Sequence, residues 1–460
     1  MCIRDRLNSF RDDRAYGDEY RSSYPTLIAE YKKFQRSNSK SVNYMVKEFE
    51  MKKAATAYTR SKQDKSGVVD PLKLHSYKYN DDIFKRLTIT PDGKNHGMMM
   101  FIDWSGSMSD KLTPTIHQLM NLVMFCRKVN IPYEVYAFSN SGRNGRWHDE
   151  PNIESKKPKY QPGDLTVDPY LKLINFASSR MTAKEHEEAM SNLYGVSIKY
   201  EDFMGSNRYR RSYEVEENEL WKSYVPDSPQ GYGLSSTPLN CTIAAAMTMV
   251  PQFQNKYSID KMNTIFLTDG CSDGNEYVII SKEEAEEMQE SKRYWGTDEN
   301  NNYYTTFGYD DNIIIRNKSN KKNYLCSNRR DSMTESLLQA LKDHTGTSLT
   351  GFFISGSKRI DRYTLDKYFP QYNYGGDEKV FDRKKVMAEF RKNKCLVVND
   401  NTGYDEFYLL AGDDMKVTDG QMATPSDNAK KGEIKRLFTQ NLKSNRSSRI
   451  VMNKFITQVA

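Results

Sequence analysis

An acid and two hydroxyls alternate in the stretch Asp103-Trp104-Ser105-Gly106-Ser107, directly after a short, unbroken apolar run. Side chains at alternate positions of such a loop turn three hard oxygen atoms toward one point. Oxygen ligands suit Mg²⁺, which is small, requires near-octahedral coordination at about 2.1 Å and retains several waters. We therefore expect a magnesium site in which Asp103 supplies negative charge through a water molecule, while Ser105 and Ser107 bind the ion directly.

The segments around this stretch have the pattern of an alternating α/β domain. Residues 98–103 read MMMFID, a run typical of a strand buried on both faces of a parallel sheet. Thr113 as N-cap and Pro114 in the first turn predict a helix directly after the candidate metal loop. Further strands are predicted at 133–138, 263–268, 348–354, 395–398 and 406–410, and further helices at 238–250 and 331–344. The alternation predicts an α/β fold with a Rossmann-like, doubly wound, mostly parallel sheet, whose ligands bind at the carboxyl ends of strands.

The pattern also suggests domain boundaries. We expect an N-terminal helical and extended region over residues 1–93, the main domain over 94–412 and a basic, partly helical extension over 413–460. Two stretches do not fit the alternation and are predicted to be large polar insertions peripheral to the sheet. The first is 139–235, with helices expected near 170–178 and 183–193. The second is 294–330, rich in Asn and Tyr and expected to be a surface loop or hairpin.

Composition narrows the class of protein. The chain is 37% hydrophobic and 28% charged, which indicates many solvated helices and loops. Its net charge of +7 is modest and partly local, since residues 430–460 hold eight Lys or Arg and one acid, which argues against nucleic acid binding. The apolar spacing in that segment favours an amphipathic docking helix over a segment that binds an anionic surface or a frayed tail. The six scattered cysteines and the absence of any apolar run of membrane-spanning length predict a reduced, cytoplasmic protein of a bacterial or host cell.

The D-x-S-x-S pattern resembles the metal-ion-dependent adhesion site of von Willebrand factor A (VWA) domains, in which a later Thr and an Asp ending the fourth strand complete the ligand set. This chain has STPL at residues 236–239 and TDG at 268–270. The resemblance implies a VWA fold holding Mg²⁺, or alternatively Mn²⁺, with Asp103, Ser105, Ser107, Thr237 and Asp269. Taken alone, Thr237 before Pro238 is more typical of a helix N-cap than of a metal ligand, and Asp269 before Gly270 is also compatible with a turn that ends a strand.

Several shorter matches narrow the resemblance. The residues Asn95-His96-Gly97 before the metal loop, the STPL loop and the segment 69–87 resemble the cobaltochelatase CobT subunit and the CobT-like proteins of tailed phages, over residues 42–412. This likeness implies a protein-interaction subunit that acts with an AAA+ ATPase of the MoxR or CobS type in chelatase-like or remodelling work. An acidic residue of that partner would complete the metal shell. The chain differs from cobaltochelatase subunits in lacking a long acidic tract before the domain and in its stretch 139–235.

Two other functions compete with this interpretation. A metal-dependent hydrolase or peptidase would need a His or Glu within hydrogen-bond reach of the metal, and the zinc-peptidase pattern H-E-x-x-H is absent, since His186 has no second His four residues on. An adhesion-like structural role is disfavoured because no export signal is recognised. The phosphate-binding pattern G-x-x-x-x-G-K-[ST] is also absent, so we expect no activity from the isolated chain.

Overall fold

The structure is a computed structural model. It describes residues 18–60, 62–73, 77–79, 84–89, 95–140, 160–166, 171–205, 233–272, 277–290, 296–297, 302–305, 313–317, 320–326, 332–355, 360, 362–370, 381–393, 395–398 and 402–411.

The helices of these ranges are α1 (Asp18–Arg60), α2 (Leu112–Lys128), α3 (Ala183–Gly205), α4 (Leu239–Tyr257), α5 (Lys282–Glu290), α6 (Ser332–Thr345), α7 (Arg362–Tyr368) and α8 (Arg383–Asn393), with a short 3-10 turn at Gly106–Met108. The strands are β1 (Lys62–Val69), β2 (Phe84–Ile89), β3 (His96–Asp103), β4 (Tyr133–Asn140), β5 (Leu165–Thr166), β6 (Leu171–Ser178), β7 (Lys261–Thr268), β8 (Tyr277–Ile280), β9 (Gly296–Thr297), β10 (Tyr303–Thr305), β11 (Ile313–Arg316), β12 (Asn323–Cys326), β13 (Ser348–Ser355), β14 (Cys395–Val398) and β15 (Glu406–Ala411).

A seven-stranded sheet with the order β14-β15-β13-β7-β3-β4-β6 forms the centre of the fold. Its five inner strands are parallel, and the two edge strands are antiparallel to their neighbours. Successive side chains of β3 point to opposite faces of the sheet. Met98 and Met100 pack with α2 and α3 on one face, whereas Met99 and Phe101 pack with α4 and α6 on the other. The chain therefore has a mixed α/β fold with a mostly parallel central sheet, compatible with a Rossmann-like arrangement.

The strand order reverses between β3 and β7. From β3 the chain continues through α2 to β4 on one side, whereas from β7 it continues through α6 to β13 on the other side. The loops that follow β3 and β7 consequently leave the sheet in opposite directions and leave a crevice between them. In open α/β sheets this reversal point, at the carboxyl ends of the strands, is where ligands bind.

The strands predicted for the central sheet are confirmed, each within two residues of its predicted ends. Helix α2 begins at Leu112, so Thr113 lies in the first turn and does not precede it. The Oγ1 of Thr113 donates a hydrogen bond to the carbonyl of Ser197 at 2.7 Å, and this bond joins α2 to α3. Within the described part of the N-terminal region, residues 18–60 form the continuous helix α1, whose Phe49 packs edge-to-face on Phe125 of α2. This helix therefore shares the core of the main domain.

The stretch 139–235 is not wholly peripheral, and the prediction there is partly wrong. Residues 171–178 form strand β6 at the edge of the central sheet, where a helix was predicted. Leu171, Ile174 and Ala177 have helical spacing, but β6 is apolar on both faces, and periodicity does not distinguish such a strand from a buried helix.

Helix α3 confirms the helix predicted near 183–193, and its Met190 and Leu193 are buried in the main core. Residues 141–159, 167–170 and 206–232 of the predicted insertion lie outside the described residues, as does the C-terminal extension. The second predicted insertion contains the antiparallel hairpin β11–β12, whose Tyr324 and Cys326 are buried, as well as β9 and β10 of a small sheet with β5 and β8.

Helices in the described ranges lack the combined length and apolar character that a membrane crossing requires. No disulfide joins the cysteines of those ranges.

The role of β6 in the core can be tested at Phe176, which is fully buried and packs edge-to-face on Trp104 with ring centroids 5.0 Å apart. We expect Phe176→Ala to lower the free energy of unfolding by about 3–5 kcal/mol, because it leaves a large cavity in the core. Urea denaturation measures this change, with the exposed Tyr363→Ala as the control. A loss below about 1 kcal/mol, as for a surface residue, would show that β6 is peripheral.

Candidate metal site

Two carboxylates lie next to each other at the reversal point of the sheet. Asp103 is the last residue of β3 and is completely buried, and Asp269 directly follows β7, with its side chain 1% exposed. Because β3 and β7 are paired in parallel, their carboxyl ends meet at the same edge. The two acids predicted from the sequence are thereby brought together, although 166 positions separate them in the chain.

A third segment, residues 233–238, is fastened to the loop after β3 by backbone hydrogen bonds. The Gly106 amide donates to the Ser235 carbonyl at 3.0 Å, and the Ser235 amide donates to the Trp104 carbonyl at 3.4 Å. The Ser235 hydroxyl also donates to Oδ1 of Asn140, at the end of β4, at 2.6 Å. These contacts bring the loop that carries the buried Thr237 to the same edge of the sheet.

The hydroxyls of the loop form a chain of oxygens that ends on Asp269. Oγ of Ser105 lies 3.0 Å from Oγ of Ser107, which donates a hydrogen bond to Oδ1 of Asp269 at 2.8 Å. Adjacent ligands of an octahedral Mg²⁺ ion with bonds of about 2.1 Å are separated by about 3.0 Å. The spacing of these three oxygens therefore matches what Mg²⁺ requires of neighbouring ligands.

The carboxylate of Asp103 is only partly satisfied by the protein. Its Oδ2 accepts a hydrogen bond from Oγ1 of Thr268 at 2.7 Å, whereas Oδ1 is buried and has no hydrogen-bond partner among the described residues. A buried carboxylate oxygen without a partner is costly, and a cation or a cation-bound water removes that cost. The residues present thus fit a Mg²⁺ ion, with Asp103 at the floor of the site and Ser107 at its exposed mouth.

The raised pKa of Asp103 also favours a cation at this position. Burial, followed by the nearby negative charge of Asp269, raises the pKa of Asp103 from 3.8 to about 7, although hydrogen bonds from the hydroxyls of Thr268 and Ser105 and from the backbone of Asp269 act in the opposite direction. Two neighbouring buried carboxyl groups form a place where positive charge is stabilised.

Lys111 is a component of the site that the sequence interpretation missed. Its ammonium donates to Oδ2 of Asp269 at 2.5 Å and to the Ser107 carbonyl at 3.2 Å, and its side chain is only 12% exposed. Lys111 lies four residues after Ser107 at the start of α2, but no local pattern in the sequence indicates its contact with Asp269. Thr268, the last residue of β7, was also not proposed as a functional residue.

The structure therefore brings Asp103, Ser105, Ser107 and Asp269 together and carries the loop of Thr237 to the same edge. A group of three or more His, Cys, Asp or Glu side chains suited to a metal is not found among the described residues. The candidate site contains two such side chains and otherwise relies on hydroxyls.

An apolar cavity adjoins the site on the side of β7. Thr268, Gly270 and Cys271 form one wall, and most of the remaining lining is apolar or aromatic, including Leu239, Phe353, Tyr368, Tyr404 and Phe407. The candidate site thus has a polar centre and an apolar flank.

Comparison with known proteins gives no family assignment. No family model matches the chain, and no curated protein matches it either. Two solved structures of the pilus adhesin SpaC from Lactobacillus rhamnosus GG, one of them in an open conformation, are similar with a TM-score of 0.27 each and 10% and 11% identity. The matches cover 57% and 58% of this chain, and this chain spans about a quarter (24% and 25%) of the adhesin. A likeness of this size supports no conclusion about fold or function.

The pKa of Asp103 predicts how the stability of the metal-free protein depends on pH. Because the folded state raises this pKa from 3.8 to about 7, it binds the proton more tightly than the unfolded chain, so stability falls as the pH rises through that window. We expect the melting temperature in EDTA to be lower near pH 8 than near pH 5.5, by on the order of 5 °C. Asp103→Asn should remove this part of the decline. An identical fall in melting temperature between pH 5.5 and pH 8 in wild type and Asp103→Asn would show that Asp103 does not cause it.

Proposed function

We propose that this chain is a VWA-type subunit that binds one Mg²⁺ ion and, through that ion, binds an acidic side chain of another protein. The ligands would be Asp103, Ser105, Ser107, Thr237 and Asp269, with Mn²⁺ as an alternative ion. The observation that carries the proposal is the convergence of the Ser105, Ser107 and Asp269 oxygens above a buried, partly unsatisfied Asp103 at the reversal point of the sheet.

The type of ligand favours binding over hydrolysis. Hydroxyl ligands are neutral, so a bound ion would keep a strong attraction for a further negative oxygen, which a partner's carboxylate supplies. Ser107 and Gly106 are exposed, so the site faces a partner, whereas Asp103 is hidden behind them. The apolar cavity beside Asp269 adds contact area for residues next to the bound acid.

The identity of the partner is proposed from the resemblance to CobT-like proteins. An AAA+ ATPase of the MoxR or CobS type would supply ATP hydrolysis, which this chain does not encode in a P-loop, and the assembly would perform chelatase-like or remodelling work in the cytoplasm.

The hydrolase alternative finds little support at this site. Within the described residues, the hydrogen-bond partners of Asp103, Ser105, Ser107 and Asp269 include no His or Glu side chain. Residues 270–274 read GCSDG and match the G-x-S-x-G pattern of serine hydrolases. However, the Ser272 hydroxyl is buried and accepts a hydrogen bond from the Asn240 amide at 3.1 Å, so it caps the first turn of α4.

Metal binding can be tested with two serines of the same loop. Ser107→Ala removes a proposed direct ligand, and we expect Mg²⁺ affinity to fall at least about tenfold, as measured by isothermal titration calorimetry. Ser109→Ala is the matched control and should bind Mg²⁺ like wild type. Equal affinity in all three proteins would remove Ser107 from the ligand set, and the absence of Mg²⁺ binding to wild type would refute the proposed function.

Partner binding can be tested with a purified MoxR- or CobS-type ATPase in the absence of nucleotide. We expect the chain to bind it in Mg²⁺ and to release it in EDTA, because the ion bridges the two proteins. Asp269→Ala should abolish binding, while Asp343→Ala, which removes an acid on α6 that pairs with Lys322, should not. The isolated chain should hydrolyse neither ATP nor peptides, and a peptidase activity that disappears with Asp103→Ala would favour the hydrolase alternative instead.

A further inference from the structure

Lys111 occupies a position that conflicts with a divalent ion on Asp269. The Lys111 ammonium lies 2.5 Å from Oδ2 of Asp269, and Oδ1 of the same carboxylate accepts the Ser107 hydroxyl. Both oxygens of a proposed metal ligand are thus engaged by the protein itself. Since both side chains are nearly excluded from solvent, water screens this contact poorly.

The surroundings of Lys111 provide a second position for its charge. Oδ1 of Asp110 lies 3.9 Å from the ammonium, and the Asp110 side chain is 34% exposed. The flexible lysine stem therefore allows the ammonium to leave Asp269 and still remain close to a carboxylate and to water.

We propose that Lys111 is a built-in competitor of the metal: its ammonium neutralises Asp269 in the metal-free protein and must withdraw toward Asp110 and solvent before Mg²⁺ binds. This inference rests on the proposed function. A tethered cation stabilises the two acids without the ion and thereby weakens their affinity for Mg²⁺. A partner's carboxylate that binds only the metal-bound form would stabilise that form in turn.

The test compares Lys111→Met with wild type, because methionine retains an unbranched apolar stem and removes the charge. The matched control is Lys342→Met, which removes a lysine paired with Asp405 beside Leu349, near the opposite, amino end of β13. Isothermal titration calorimetry with MgCl₂ at constant ionic strength should give an affinity about ten- to a hundredfold higher for Lys111→Met, through loss of competition and of charge repulsion. Lys342→Met should resemble wild type.

Thermal denaturation provides a second, independent measurement. In EDTA, Lys111→Met should melt at a lower temperature than wild type, because Asp269 loses its counter-charge, and saturating Mg²⁺ should remove most of the difference. Lys111→Gln serves as a second variant if Lys111→Met does not fold. Unchanged or weaker Mg²⁺ affinity in folded Lys111 variants would overturn this inference and leave the proposed function intact, whereas no Mg²⁺ binding by wild type or by any of the variants would overturn both.

Discussion

Asp103 and Asp269 are held side by side at the carboxyl ends of two paired strands, and neither side chain has appreciable contact with water. Two buried carboxylates in such proximity are costly unless nearby positive charge offsets them. Two neighbouring side chains offset this cost: the Thr268 hydroxyl donates a hydrogen bond to Asp103, and the Lys111 ammonium contacts Asp269. A divalent cation would satisfy both acids at once.

The fold supplies the rigidity that such a site needs. The reversal of strand order between β3 and β7 opens the crevice, and Trp104 anchors the loop after β3 because its completely buried ring packs edge-to-face on Phe176 of β6. The backbone bridge between Ser105 and Ser235 joins the third segment to the same loop. The polar loop is therefore held by apolar packing behind it, so that the oxygens at its mouth are positioned before any ligand arrives.

The central sheet and most of the site could be predicted from the sequence, because buried parallel strands such as residues 98–103 are unbroken apolar runs and the D-x-S-x-S pattern follows one of them directly. Strand β6 could not, since Leu171, Ile174 and Ala177 have the spacing of a helix although they lie in a strand with two apolar faces. The contact of Lys111 with Asp269 could not be predicted either. It depends on the pairing of β3 with β7, and no local spacing encodes a contact across 158 positions.

Anomalous diffraction from crystals containing Mn²⁺ would show whether one divalent cation binds between the ends of β3 and β7, as we propose. Manganese prefers the same oxygen ligands as magnesium and can be located by its anomalous signal. We expect one strong peak with the hydroxyl oxygens of Ser105 and Ser107 within about 2.2 Å of it and Asp103 behind it. A peak elsewhere, or no peak in crystals whose site is open to solvent, would rule out a cation at this position.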